Sequence, residues 1–151
     1  MSAVDLKRFA LFEELSEEER EVLADEVERI ELEPGDVLFR EQEEASGLVL
    51  VLEGRVRLES SRAGELGSVG PGTALGAVSL VAVGPREASA VADSACSIFL
   101  LRRSTFRRLA ADAPRAACRL AEAIARDAAA LLRAGLEPLV RNAVDRAQTD
   151  L

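Results

Sequence analysis

Hydrophobic positions in this chain change period twice, from helical spacing to alternation and back again. Near the start, Leu6, Phe9, Ala10 and Leu15 predict a short helix over residues 5–15. Ser16 followed three residues later by Glu19 is a capping-box signature. Behind it Val22, Leu23, Val27 and Ile30 form one stripe among glutamates, which predicts an amphipathic helix. Pro34-Gly35-Asp36 marks a turn, and the period then falls to two. Val37-Leu38-Phe39 predicts a short strand, 41–46 a polar loop, and the apolar run 48–52 a buried strand. Arg55-Val56-Arg57-Leu58-Glu59 alternates as a half-exposed strand does, and further strands are predicted over 65–69, 88–92 and 96–101. Many short strands divided by glycine turns predict a jelly-roll-like sandwich or barrel. Helical spacing returns at Ser104, a candidate cap for a helix to about Ala111, with Asp112 a candidate cap for the next one ahead of Pro114. That last helix is predicted to run from Pro114 to about Arg133 and to end at Gly135.

The composition narrows the class. Hydrophobic residues make up 48% and charged ones 30% of 151 residues, enough for one globular domain with a sizeable core. No apolar run is long enough to span a bilayer, and the first five residues, from Met1, do not open a signal peptide, so a cytoplasmic protein without a membrane partner is expected. A net charge of −8 argues against a nucleic-acid surface. Arg102, Arg103, Arg107 and Arg108 form a local basic patch, read as a solvated helix face. Histidine is absent, which removes the commonest general base and metal ligand. Cys96 and Cys118 stand too far apart for a local metal motif and read as small buried hydrophobes. With no nucleophile elbow, Walker loop or zinc motif, no catalytic residue and no metal site are assigned, and an enzyme is not expected.

The candidate chemistry lies in one stretch, GPGTALGAVSLVAVGPREASAV, from Gly70 to Val91. Its glycines allow positive φ and close backbone approach. Amides at the start of a short helix, Ala77 to Leu80, would face an anion, and Arg86 could pair with it in a fork. Gly-Pro-Gly, then Leu75-Gly76, then Pro85-Arg86, together with the hairpin VLEGRVRL and the flanking helices, resemble the phosphate-binding cassette and roll of the cyclic-nucleotide-binding domain family. That family includes the effector domains of catabolite-activator-type regulators. The resemblance implies an α+β fold, a β jelly roll or double-stranded β-helix barrel flanked by N-terminal and C-terminal helices. It implies a domain over 1–133 and an amphipathic extension over 134–151. It also implies a ligand site of Gly76, Ala77, Val78, Ser79, Arg86, Glu87, Ala88 and Ser89, with a cyclic nucleotide as the one implied ligand. Two positions depart from the family pattern. Where the family has a glutamate for the ribose hydroxyl this chain has Ala77, and where it has a small residue after the arginine this chain has Glu87.

The last helix carries Ala117, Ala121, Ile124, Ala128 and Leu131 at steps of four, three, four and three, a heptad-like seam. In the family the corresponding helix pairs with its twin across a dimer axis; the other reading is that the stripe packs on its own roll. Leu136, Leu139, Val140, Ala143, Val144, Ala147 and Leu151 then form an apolar stripe that needs cover from the roll, a twin subunit or another protein. Taken as a whole chain, the residues after Arg133 are too few for a winged helix-turn-helix, so DNA is not expected as a partner. The expected function is a non-enzymatic regulatory or scaffold module acting through homodimerisation and docking of a protein partner. The alternative is a sensor of a cyclic nucleotide or other small anion through Arg86 and the Gly76–Leu80 amides.

Overall fold

The computed structural model describes residues 3–149; Met1 and Leu151, named above, lie outside the described residues. Helices α1 (Ala3–Leu6) and α2 (Glu17–Ala24), separated by a 3-10 turn at Ala10–Phe12, precede eight strands. These are β1 (Glu28–Leu32), β2 (Val37–Phe39), β3 (Gly47–Glu53), β4 (Val56–Ser60), β5 (Gly64–Val69), β6 (Ala74–Leu75), β7 (Ser89–Ala92) and β8 (Cys96–Arg102). A second 3-10 turn, Ala77–Leu80, lies between β6 and β7, and helices α3 (Arg103–Asp112) and α4 (Pro114–Thr149) follow. The strands form two antiparallel four-stranded sheets in the orders β1-β8-β3-β6 and β2-β7-β4-β5. The first strand thus pairs with the last, Ile30 opposite Ile98, which is how a chain rolls up rather than meandering. This is the expected α+β roll.

The sheet faces explain the sequence of β3. Leu48, Leu50 and Leu52 point to a helical core with Phe9, Phe12, Leu23, Phe99, Phe106, Leu120 and Ile124. Val51 points the other way, into the roll with Val56, Ala90, Ala92 and Cys96, edged by Phe39, Leu58 and Leu75. A strand covered on both faces reads as a continuous apolar run, because neither set of side chains meets water.

Four expectations about local structure are corrected, and so is one about burial: Cys96 is buried as expected, but Cys118 is exposed. The helix expected over 5–15 is α1 plus a 3-10 turn, because Phe9 is extended, at φ −102° and ψ 124°, and so breaks the helix. The stripe ending at Ile30 is not one helix: α2 stops at Ala24, and Ile30 and Leu32 belong to β1, where ladder bonds to β8 outweigh local helix spacing. The capping box itself is present, with reciprocal bonds between Ser16 and Glu19. Neither Ser104 nor Asp112 caps a helix. Arg102 occupies the cap position of α3, whose first amide, Arg103, donates to the Ser46 carbonyl at 2.8 Å, and Asp112 is the last residue of α3. Finally, α4 does not end at Gly135. It runs to Thr149, 36 residues in all, with Pro138 inside. A glycine within a helix costs only about 1 kcal/mol relative to alanine, and the Glu137–Arg141 pair one turn apart spans this stretch.

The base of α4 is fixed to the roll. Ala116, Ala117, Leu120 and Ile124 are buried there. Arg126 meets the Glu14 carboxylate with both terminal nitrogens, and Arg119 pairs with Glu19 at 3.1 Å.

Candidate functional site

The cassette begins where β6 ends. Gly76, at φ 74° and ψ 34°, takes the left-handed conformation that starts the 3-10 turn, and the Ser79 amide donates back to its carbonyl at 2.9 Å. Leu80 anchors the turn in the helical core, and Ala77 packs half-buried against the same cluster. Val78 points into solvent.

Arg86 reaches the turn from a loop that pairs with residues 42–45. Its amide donates to the Glu43 carbonyl at 2.7 Å, and its carbonyl accepts from the Gln42 amide at 2.8 Å. The side chain is only 7% exposed. One terminal nitrogen, Nη2, donates to the Gly47 carbonyl at 2.9 Å, and the guanidinium carbon lies 4.1 Å from the centre of the Phe39 ring. The other, Nη1, presses on Gly76 so closely that a Cβ there would lie 2.2 Å away. Burial pushes the Arg86 guanidinium below its ordinary pKa, opposed by the Glu43 carboxylate.

Of the residues expected at the site, the structure brings Gly76, Ser79 and Arg86 together, the Ser79 hydroxyl lying 3.3 Å from a Cβ placed on Gly76. Glu87 is exposed and makes no ion pair with Arg86. Ala88 and Ser89 are half-buried, and the Ser89 hydroxyl accepts from the Glu41 amide at 2.8 Å. Ser89 thereby joins a groove of about 310 Å³ with Glu41, Arg57, Glu59 and Glu65 on the outer face of the second sheet.

Three participants escaped sequence reading. Phe39 read simply as a strand residue. Gly47 read as a lead-in, although it sits where a Cβ would be 2.1 Å from the Leu101 carbonyl. Arg103 read as part of a solvated face, and this is corrected: its side chain is 16% exposed and donates to the carbonyls of Ala45 at 2.9 Å and Ser79 at 3.1 Å. Being first in α3, directly after a buried strand, it is turned inward.

The seam residues on α4 divide. Ala117 and Ile124 are buried in the chain's own helical core, Ala121 and Ala128 are half-buried, and Leu131 is 74% exposed. The seam is therefore not one exposed stripe, because its upper half packs on the roll.

Ala77 has no side-chain acceptor for a ribose hydroxyl, and one terminal nitrogen of Arg86 is already engaged by the Gly47 carbonyl.

A two-sheet roll backed by helices, with a glycine-started 3-10 turn closed over a buried arginine, defines the class as an effector-type β-roll. Residues 29–113 match the family described as the cyclic nucleotide-binding domain, and the chain belongs to that family. Among solved structures it resembles the N-terminal domain of a transcriptional regulator from Streptomyces coelicolor A3(2), with 30% identity and a TM-score of 0.76, covering 84% of this chain and 94% of that one. It is also similar to a cyclic nucleotide-binding-like protein from Brucella abortus, with 33% identity, a TM-score of 0.63, and 72% and 96% covered. Likeness to the catabolite activator protein of Thermus thermophilus is 32% identity and a TM-score of 0.70, covering 87% of this chain and 62% of that one. Comparison with curated proteins returns no match. No helix among the described residues is long and apolar enough to cross a membrane.

Proposed function

We propose that this chain is a non-enzymatic, cytoplasmic regulatory module that acts through α4, by homodimerisation and docking of a protein partner, rather than by ordinary binding of cyclic AMP. The observation that carries this reading is the distal half of α4. There Leu132, Leu136, Leu139, Val140 and Val144 are all exposed on a helix that has left its own roll. An apolar patch of this kind on a folded domain marks an interface. With Ala121, Ala128 and Leu132 at helical spacing, the proposed contact moves outward from the expected seam of Ala117 and Ile124, since those two serve the intramolecular core. Small residues near the roll let two helices approach, and leucines further out fill the space between them. Light scattering at micromolar concentration tests the reading. A dimer that becomes a monomer on Leu139→Asp supports it, and a wild-type monomer defeats it.

The second reading is a sensor of a small anion at Gly76, Ser79 and Arg86. It is favoured by the burial of a guanidinium against Gly76, a glycine in the left-handed conformation at the start of the 3-10 turn. Calorimetric titration with cyclic AMP and cyclic GMP separates the two. The first reading expects binding near millimolar or weaker, since losing a buried hydrogen bond costs about 1–3 kcal/mol and each 1.4 kcal/mol is about tenfold in affinity.

A further inference from the structure

We propose that Arg86 and Arg103 form a clasp that holds the cassette closed without a ligand, so that a carbonyl of the chain already occupies one of the Arg86 donors an incoming anion would use. The observations lie on both sides of the short segment Ala45-Ser46-Gly47. Its three successive carbonyls each accept from one of these arginines: Ala45 from the Arg103 side chain, Ser46 from the Arg103 amide, and Gly47 from the Arg86 side chain. The cassette is gripped at two points. Arg103 also takes the Ser79 carbonyl at the end of the 3-10 turn, and Arg86 lies against Gly76 at its start. Phe39, from the opposite sheet, closes the free face of the Arg86 guanidinium.

The partners are the telling feature. A guanidinium that awaits an anion is expected to face solvent or a carboxylate, because burying a cation without compensation is costly. Arg86 is buried, its side-chain hydrogen bond goes to a carbonyl dipole and its plane lies on the negative face of a ring, while the Glu43 carboxylate acts on it only through space, without an ion pair. The fit depends on a missing side chain at each end. Gly47 has no room for a Cβ beside the Leu101 carbonyl, and Gly76 has none beside Nη1. The clasp is therefore built into the backbone, and an anion taking Nη2 of Arg86 must displace the Gly47 carbonyl. Arg103 belongs to α3, which packs on α4, so the same clasp anchors the helical arm to the roll.

This inference rests on the reading that the module works without ordinary cyclic-nucleotide binding, and the experiment keeps the two apart. Thermal melts are run on ligand-free wild type, Arg86→Ala, Phe39→Leu and their double variant in a chloride buffer free of phosphate and sulfate. The clasp predicts that each single variant lowers the melting temperature by roughly 5 °C and that the double variant loses less than the sum, because both remove one stacked contact. Arg86→Lys should restore only part, since an ammonium can reach the Gly47 carbonyl but cannot stack as a plane. An unchanged or raised melting temperature for Arg86→Ala overturns the proposal, as does strict additivity with Phe39→Leu. Should Arg86→Ala not fold, Arg103→Gln is read instead by hydrogen exchange at the Ser79 and Leu80 amides: faster exchange there, with the β3 amides unaltered, supports the clasp, and unchanged exchange overturns it. Wild type is then melted with cyclic AMP. A shift at micromolar nucleotide defeats the functional reading and leaves the clasp to be decided by the ligand-free melts.

Discussion

The cassette and the distal half of α4 are opposites. The cassette is polar, and the donors of Arg86 and Arg103 meet carbonyls of the same chain. The distal helix carries an apolar stripe whose leucines and valines are exposed. In relatives of this fold a cassette is where one looks for a ligand; here Arg86 and Arg103 bond carbonyls of the chain, and the contact proposed above lies on the helix instead. Burial of a polar group needs a specific partner in place, whereas an apolar stripe needs only a complementary surface. The difference directs attention from the pocket to the arm.

The largest test divides α4 itself. Ile124, 2% exposed, belongs to the core of the roll. Ile124→Asp is expected to cost about 3–5 kcal/mol, by loss of a buried side chain and burial of a charge, and to unfold the domain in urea melts rather than merely dissociate it. A folded, monomeric Ile124→Asp would return that residue to the dimer seam.

Gly76→Ala comes next. It sets a Cβ 2.2 Å from the Arg86 Nη1 and asks alanine to hold a φ of 74°. We expect a loss of about 1–3 kcal/mol, measured by denaturant melts. A neutral result would mean that the guanidinium moves aside freely and that the cassette is as unsatisfied as the arm.

How much of this contrast was legible in the sequence depended on how local its causes are. The run at 48–52 announced a buried strand, since burial on both faces leaves only apolar residues. Val27 and Ile30 did not announce β1, because a spacing of three fits a helix, while the pairing that decides the matter joins Ile30 to Ile98, far along the chain. Arg86 stood out by its place after Pro85, but its partners did not: a backbone carbonyl has no letter in the sequence, and Phe39 looks like any strand residue. Arg103 was misread because a run of arginines suggests a wet face, and only the direction in which α3 leaves β8 turns one of them inward. At Gly135 the local signal was genuine in kind but too weak to stop a helix.

A smaller effect is expected from Leu139→Asp. The side chain is exposed, so the stability of a separated subunit should change by no more than about 0.5 kcal/mol, while the oligomer read by light scattering dissociates. A fall in subunit stability as large as that of Ile124→Asp would show that the distal stripe folds back on its own roll.

The smallest concerns the ion pair at the base of α4. The hydrogen bond from Arg126 and its charge hold the Glu14 carboxyl below the ordinary value of 4.5. A depressed carboxylate contributes stability that is fully present above the unfolded pKa and lost as pH falls through the lowered folded value. Glu14 is exposed, so the contribution is slight and screened by salt. Wild type should therefore melt marginally above Glu14→Gln at neutral pH, and the gap should close at acid pH. A gap that persists in acid would assign the difference to packing instead of charge.

The continuity of α4 past Gly135 also has a mechanical consequence. Its 36 residues are held by the roll only near their start. Beyond Ile124 about 25 residues extend for about 37 Å at 1.5 Å each. Such a rod is a lever with a short fixed arm and a long free one. A tilt of about 10° at its base sweeps the far end through about 6 Å, about one helical turn. Displacements at the roll of the size of a single hydrogen bond would thus be magnified at the tip into a change of register against whatever surface lies there, with a gain that grows with helix length and is modified by any bend at Pro138.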